Sequence, residues 1–126
     1  MKQPKIRLTI KNRTDGDTAI RSEAIDVALS TRERMQGLLG VRAMVLGSGL
    51  LIPDCSSIHM WGMKMALDIV FLKRQGREWQ VVKLVPNVRP WKLLPVGAWG
   101  ANDVLELAPG TVELWNLKEG ETLCIA

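Results

Sequence analysis

Apolar and polar residues alternate along two stretches near the beginning of the chain. The apolar members of these stretches are Ile6, Leu8, Ile10, Ile25, Val27 and Leu29. A period of two residues places apolar side chains on one face of a β-strand and polar side chains on the other. Residues 12–17, between the stretches, contain Asp15-Gly16, a pair typical of tight turns. The pattern predicts an opening β-hairpin or meander.

The next residues change to a spacing that is typical of a short helix. Ser30 and Glu33 form a capping box, in which the serine oxygen accepts a hydrogen bond from the third helical N–H group and the glutamate reaches back to the cap. Apolar residues at 35, 38 and 39 give the helix one buried face, and glycines at 37 and 40 limit it to about two turns. The sequence therefore predicts a helix that begins at Ser30.

Short apolar runs separated by turn residues continue to the end of the chain. They predict strands over 65–72, from 78 to Pro86, over 104–107 and over 121–125, and a loop entering a buried strand over 44–52. Turns are predicted at 53–54 and 75–76, and an ordered loop over 86–100. In the strand from 78, the period of two puts residues 79, 81, 83 and 85 on one face. Residues 109–115 fit one short helical turn, which propensity alone hardly separates from a strand.

These elements together define the fold class. About six to eight short strands with no regular strand-helix alternation favour a mainly β fold over a parallel α/β fold. A chain of 126 residues has the usual size of one domain and can bury a core without a disulfide or a metal. We predict a single domain over residues 1–126, an antiparallel β-sandwich or barrel of jelly-roll-like type with one or two short helices.

Asp68 has the most unusual position in the predicted strands, because it lies within an apolar run. Apolar residues at 67, 69 and 71 share one face of this strand, and Asp68 shares the other face with apolar residues at 66, 70 and 72. Apolar residues on both faces predict a central strand. An isolated buried charge costs several kcal/mol. Asp68 must therefore have a partner, a raised pKa or an opening to water.

The single histidine, His59, is one candidate partner for Asp68. If Met63-Lys64 formed a two-residue hairpin loop, His59 would lie opposite Asp68, although Met-Lys is a poor sequence for the positive φ angles of such a turn. Arg89, Lys64 and backbone N–H groups are the other candidates. An aspartate that fixes a loop by accepting backbone hydrogen bonds is the structural alternative to a catalytic role.

His59, Asp68 and Glu106 are weak candidates for catalysis. A hydrolase with two catalytic carboxyl groups would need those of Asp68 and Glu106 about 5–9.5 Å apart, and Glu106 is more simply an exposed or ion-paired strand residue. A catalytic Asp68 would have to face an open pocket, so sealing by backbone amides would exclude that role. The sequence contains no serine-hydrolase, phosphate-binding or zinc motif.

A metal site has little support in the sequence. The nearest donor set is His59, Asp68 and Cys55, which lacks the spacing of known metal motifs. Methionines at 60, 63 and 65 would suit a soft metal, but spaced apolar methionines are more typical of a core. We predict no metal and no cofactor.

Tryptophan is unusually frequent, with five residues against one phenylalanine and no tyrosine. Trp61, Trp91 and Trp99 lie in or beside predicted loops, where an indole ring can stack on a sugar ring or an aromatic ligand. Trp79 and Trp115 are predicted to lie in the core. The loops therefore suggest a binding site. Its predicted ligand-binding residues are His59, Trp61, Asp68, Arg89, Trp91 and Lys92.

The net charge of +4 is unevenly distributed. Residues 1–92 carry 16 basic and 8 acidic side chains and residues 93–126 carry 1 and 5, which gives +8 and −4. The basic residues are scattered singly and no nucleic-acid-binding motif is present, so we predict no nucleic-acid partner. No signal peptide or membrane span is visible, and Cys55 and Cys124 have no paired spacing. We predict a cytoplasmic protein.

Four segments occur in a characteristic order. They are the Thr/Arg-rich helical segment Arg32–Leu39, the Ile-His to Phe-Leu segment Ile58–Leu72, the Leu-Glu-Leu-x-x-Gly segment Leu105–Gly110, and Gly120-Glu121. In this order they resemble the bacterial and archaeal family known as domain of unknown function 192. The resemblance runs from about Ile25 to Ile125, so the first strand depends on periodicity alone. Ala66 and Glu121 stand where this family commonly has proline and aspartate.

The resemblance implies a compact, mainly β, jelly-roll-like domain with no established activity. It supplies no catalytic residues. The recurring polar positions that match are His59, Asp68, Arg89–Lys92 and Glu106, and architecture explains them as well as chemistry does.

Three functional hypotheses follow from the sequence. The leading one is a non-enzymatic domain that binds a small molecule or a protein through the loops around His59, Trp61 and Trp91. The second is a hydrolase or metal-dependent enzyme that uses His59 and Asp68. The third is a structural or assembly module, which would expose a flat apolar patch.

Overall fold

The computed structural model describes residues 5–11, 25–28, 43–58, 60, 63–90 and 95–125. In chain order the elements are β1 (Lys5–Ile6), β2 (Leu8–Ile10), β3 (Ile25–Val27), β4 (Gly49–Ile52), β5 (Ser57–Ile58), β6 (Leu67–Gln75), β7 (Glu78–Val88), β8 (Val96–Gly97), β9 (Asp103–Leu107), α1 (Thr111–Leu114) and β10 (Thr122–Ile125). The turn predicted at 12–17 and the helix predicted from Ser30 lie outside the described residues.

Eight of these strands form one sheet in the order β1-β3-β4-β9-β6-β7-β10-β2. Because β1 and β2 follow each other along the chain, the two ends of the sheet are joined by one short segment, and the sheet is nearly closed into a barrel-like shape. The pairings are antiparallel except for β3 with β4. Strands β5 and β8 form a separate two-stranded sheet. The predicted mainly β fold is confirmed.

The first predicted strand is divided into β1 and β2, which pair with different strands. Lys5 in β1 pairs with Asp26 in β3, as the predicted opening hairpin or meander requires. Ile10 in β2 instead pairs with Leu123 in β10. The alternation also appears as burial, since Leu8 and Ile10 are buried and Lys5 and Arg7 are exposed.

The two faces of the sheet carry two hydrophobic clusters. The first cluster comprises Leu8, Ile10, Ile25, Leu51, Val70, Leu72, Val81, Leu105, Leu107, Val112, Trp115, Leu117 and Leu123. The second cluster comprises Ala28, Leu50, Ile52, Ile58, Met60, Met65, Leu67, Ile69, Phe71, Val88, Val96 and Val104. Odd and even residues of β6 divide between them, so the predicted faces and central position of this strand are confirmed.

Strand β7 differs from its prediction, because it continues past Pro86 to Val88. Pairings of Leu67 with Val88 and of Ile69 with Val85 leave one extra residue on β7, which is a β-bulge. A proline is tolerated at a bulge because its missing N–H group is not needed there for the ladder. The loop predicted over 86–100 is therefore shorter, and it also contains β8.

A second bulge in β7 changes which face its residues occupy. Phe71 pairs with Lys83 and Leu72 with Val81, so one step along β6 corresponds to two steps along β7. Trp79 and Leu84 consequently pack against the first cluster, whereas Val85 packs against the second. The predicted common face for residues 79, 81, 83 and 85 was wrong because a strict period of two ignores bulges.

Gly49 allows β4 to approach β9 closely. A Cβ atom at this position would lie 2.2 Å from the backbone oxygen of Glu106 and 2.9 Å from Cδ2 of Leu107. We expect Gly49→Ala to lower the free energy of unfolding by about 1–3 kcal/mol, because the two strands must separate. Urea denaturation measures this loss. Gly97→Ala is the control, since its Cβ atom would come no closer than 3.1 Å to Cβ of Ser57 and 3.2 Å to the Ser56 carbonyl oxygen, so only a small shift is needed. An equal loss in both variants would contradict the argument.

Candidate functional site

Asp68 is sealed and accepts three backbone hydrogen bonds. Its side chain is 1% exposed. Oδ1 accepts the N–H of Asn87 at 2.8 Å. Oδ2 accepts the N–H groups of Gly110 and Val112, each at 3.0 Å. The local compensation expected for a buried carboxylate is present, and its source is the backbone.

Each of these N–H groups needs an acceptor for a local reason. Asn87 lies in the β7 bulge with φ 54, where the ladder with β6 is interrupted. Gly110 and Val112 lie at the beginning of α1, whose cap residue Gly110 has no side chain to accept a bond. The first N–H groups of a helix lack intrahelical partners. Asp68 therefore supplies, from another strand, the capping oxygen that α1 lacks.

The strand pairing of Asp68 with His59 that a hairpin loop at Met63-Lys64 would give is not formed, because the strands on either side of Asp68 are β7 and β9. Strand β6 is paired with β7 on one side and β9 on the other, and Asp68 lies opposite Leu107. Strand β5, which directly precedes His59, pairs with β8. His59 itself lies outside the described residues.

Glu106 is buried, with 3% of its surface accessible, so of the two predicted alternatives, exposed or ion-paired, the exposed one is wrong. It lies opposite Ile69 and Leu50, both of which belong to the second cluster. Asp68 lies opposite Leu107, which belongs to the first cluster. Since paired residues share a face of the sheet, the two carboxylates point to opposite faces. The structure does not bring them together as a catalytic pair would require.

A polar network that the sequence analysis missed is centred on Asp103, the first residue of β9. Its carboxylate is 2% exposed. It accepts bonds from Nε and Nη2 of Arg74 at 2.8 and 2.7 Å, and from the indole N–H of Trp79 at 2.8 Å. The N–H of Asp54 donates to it at 3.0 Å, and the Asp54 carboxylate also accepts from Arg74. Trp79, which was predicted to lie in the core, is therefore only partly buried, and its indole N–H group donates a hydrogen bond to the Asp103 carboxylate.

The network shifts the protonation equilibria of its charged members. Burial alone would raise the pKa of Asp103. The hydrogen bonds from Arg74, from the Asp54 N–H and from Trp79 outweigh that effect and hold the pKa below its ordinary value. The same carboxylates raise the pKa of Arg74, with Asp103 as the larger cause and Asp54 as the second. Both groups are therefore charged at neutral pH.

The two loops that follow Asp54 and precede Asp103 in the chain form an open groove of about 400 Å³. Its lining residues are Ser56, Gly97, Ala98, Trp99, Gly100 and Ala101. The N–H of Cys55 donates to the Asn102 carbonyl at 2.8 Å, and the N–H of Ala98 donates to the Ser56 carbonyl at 3.1 Å. These bonds tie the turn after β4 to the loop before β9.

Trp99 is fully exposed on this loop, with a relative accessibility of 100%. Its position in a loop agrees with the sequence prediction, as does the burial of Trp115 in the first cluster. The ordered bonds of the neighbouring residues hold the loop while the indole ring faces solvent. An exposed indole on a hydrogen-bonded loop is the arrangement expected of a stacking platform.

The remaining predicted ligand-binding residues are only partly described. Arg89 is exposed just after β7. Trp61, Trp91 and Lys92 lie outside the described residues, as His59 does. Within the described ranges, no three His, Cys, Asp or Glu side chains gather where they could hold a metal ion. Met60 and Met65 are buried in the second cluster, as core methionines are.

The sequence matches the model of the DUF192 family, described as Uncharacterized ACR, over residues 10–125. The chain belongs to the DUF192 family. The match begins upstream of the motifs that first indicated it, so β3 and the last residue of β2, Ile10, lie within the matched region. None of the curated proteins compared with the chain matches it.

Two crystal structures share the fold of this DUF192 domain. A protein from Sinorhizobium meliloti 1021, provisionally named a transcription regulator, has a TM-score of 0.81 at 21% identity, with 99% of this chain and 96% of its own chain covered. A protein of unknown function from Novosphingobium aromaticivorans DSM 12444 has a TM-score of 0.71 at 21% identity, with coverages of 94% and 84%. At this identity the likeness shows the fold alone. In the described part of the chain, no helix has the length and apolar character needed to span a bilayer.

Proposed function

We propose that this DUF192 domain is a non-enzymatic binding module whose ligand stacks on Trp99. The observation that carries the proposal is the complete exposure of this indole at the rim of a groove of about 400 Å³. Small-ligand sites commonly have volumes of about 300–1,000 Å³. An exposed indole offers an apolar face on which a ligand ring can stack.

The hydrogen bonds and ion pairs that hold the loops of the groove favour a binding function over an indole that is exposed without a function. Arg74 links Asp103 at the start of β9 to Asp54 in the turn after β4. Lys83 in β7 donates from Nζ to the Gly97 carbonyl at 3.0 Å. Loops held in this way lose little conformational freedom when a ligand binds, which improves affinity.

The residues predicted from the sequence belong to the same region of the chain. His59 and Trp61 follow β5, and Trp91 and Lys92 precede β8, while the groove begins at the other end of this short ladder. In the sequence, His59 is three residues after Ser56. In this proposal Asp68 is a positioning residue, because it fixes Asn87, which precedes Arg89 and the segment beyond it.

The two other hypotheses have less support. The sealed Asp68 carboxylate uses both of its oxygens for backbone hydrogen bonds, which is the geometry of the structural alternative and not of an acid or base in an open pocket. An assembly surface would require a continuous apolar patch. The large apolar side chains exposed in the described part of the chain are those of Val45, Leu46, Trp99, Leu114 and Ile125.

A fragment screen tests the proposal. ¹⁵N-labelled protein is titrated with a library of neutral sugars, nucleosides, amino acids and organic acids. NMR follows the indole N–H signal of Trp99 and, in wild type and variants alike, the backbone amide signals of Ser56, Gly97 and Gly100. We expect at least one class to shift the indole signal and to lose its binding in Trp99→Ala. The variant should keep its melting temperature, since exposed substitutions change stability by less than about 0.5 kcal/mol.

The matched control is Leu114→Ala, which removes an apolar side chain that is 60% exposed on α1. Binding that survives Trp99→Ala, or that is lost equally in Leu114→Ala, would overturn the proposed site. A library in which no class perturbs the Trp99 signal would also overturn it.

A further inference from the structure

We infer that the ligand of the Trp99 groove is a neutral oligosaccharide, one sugar ring of which stacks on the indole. The inference rests on the proposed binding function and specifies its ligand class. Three features of the groove support it: the charge of its lining, the openness of its shape, and the accessible backbone beside the indole.

The lining of the groove has no formal charge. Its six residues are one serine, two glycines, two alanines and Trp99, in a chain whose charged fraction is 24%. The ammonium group of Lys83 reaches this loop but is bonded to the Gly97 carbonyl. The guanidinium of Arg74 is bonded to Asp103 and Asp54. An anionic ligand would therefore lose its hydration without gaining an ion pair from the lining.

The shape of the groove suits a ligand that remains hydrated on one side. Sites for drug-like and planar aromatic ligands usually bury about 70–90% of the ligand surface. Here one indole, wholly exposed, borders an open groove. A pyranose ring has an apolar C–H face that can stack on an indole, and its hydroxyl groups can stay in water. Such a ligand needs only one covered face.

The residues beside Trp99 leave the backbone accessible to hydroxyl groups. Gly97, Ala98, Gly100 and Ala101 have short side chains or none, and Ser56 is exposed with a hydroxyl group. Gly100 has φ 79, a conformation that favours glycine and turns the chain sharply after Trp99. The carbonyl oxygens of Gly97 and Ala98 each accept one bond within the protein and have a second lone pair. These carbonyl groups and the serine hydroxyl are suitable partners for sugar hydroxyls.

Titration with defined oligosaccharides tests the ligand class. The probes are neutral tetrasaccharides built from glucose, mannose, xylose or N-acetylglucosamine, and the comparison ligands are tetragalacturonate, which is anionic, and adenosine, which is neutral and aromatic. We expect at least one neutral tetrasaccharide to bind with a shift of the Trp99 indole N–H signal. Trp99→Ala should weaken its affinity about tenfold or more. Trp99→Phe should retain part of the affinity, and Leu114→Ala should retain all of it.

The possible outcomes separate this inference from the proposed function. If adenosine or tetragalacturonate binds in a Trp99-dependent manner and no neutral tetrasaccharide does, the ligand class is wrong while the binding function stands. If none of the probes shifts the Trp99 signal, the saccharide inference is overturned, and the fragment screen then decides the binding function separately.

Discussion

Replacing Asp68 with alanine should lower the free energy of unfolding by about 2–4 kcal/mol. The substitution removes both oxygens and leaves the N–H groups of Asn87, Gly110 and Val112 without their acceptor in a buried site. The β7 bulge and the first turn of α1 would lose their connection to β6 together. The effect should exceed that of an ordinary lost hydrogen bond, because three donors are affected at once.

Chemical denaturation of wild type and Asp68→Ala measures this loss, and a thermal melt gives an independent check. Asp26→Ala is the matched control, because Asp26 forms a surface ion pair with Lys5 and its side chain is 38% exposed. That pair should contribute less than about 1 kcal/mol. A melting temperature of Asp68→Ala within about 2 °C of wild type would show that the buried carboxylate does not stabilise the fold.

Asp103→Ala should also be strongly destabilising at neutral pH, by about 2–4 kcal/mol. Trp79 and the Asp54 N–H lose their acceptor, and Arg74 loses its bidentate partner. The half-exposed guanidinium of Arg74 can be rehydrated, which limits the loss. Asp54→Ala is the control, since the Asp54 side chain is 84% exposed and its ion pair with Arg74 should contribute little. Equal losses in both variants would contradict the central role of Asp103.

The stability of the wild-type protein should fall in acid partly because of Asp103. Its pKa is lowered in the folded state, so the unfolded chain, with an ordinary value near 3.9, binds a proton first as the pH decreases. The contribution is complete above the unfolded pKa and disappears as the pH falls through the folded pKa. Unfolding free energies measured from pH 7 to pH 3 should therefore decrease less in Asp103→Asn than in wild type. Parallel curves would contradict this assignment.

The sequence was sufficient where a pattern depends on neighbouring residues. The period of two predicted β6 and its two faces, and apolar runs bounded by turn residues predicted β4, β9 and β10. It also showed that Asp68 needs compensation. It could not identify the donors, because they lie 19, 42 and 44 residues further along the chain and are positioned by a bulge and a helix end.

The Asp103 network and the β7 bulges depend on the register in which strands pair, and a local sequence pattern does not contain that register. Asp103 and Arg74 meet because β6 and β9 pair with Leu72 opposite Asp103. From the sequence alone, Asp103 resembles a turn residue before an apolar run. The bulges in β7 were missed for the same reason, since each is defined against a partner strand. Trp99 was named among the loop tryptophans that could stack on a ligand, but it was not among the predicted ligand-binding residues, because the groove beside it arises from the pairing of β5 with β8.

The joining of β2 to β10 has a consequence for the order of assembly. We call the pairing of β2 with β10 the seam. The side chains of Thr9 and Cys124 are in contact across it although 115 positions separate them. During synthesis the seam can close only after nearly all of the intervening chain has left the ribosome. Contacts at such separations slow folding, because a long loop must be ordered before they form. Until then residues 8–10 present an unsatisfied strand edge, so the nascent protein is most vulnerable to aggregation just before its final strand arrives.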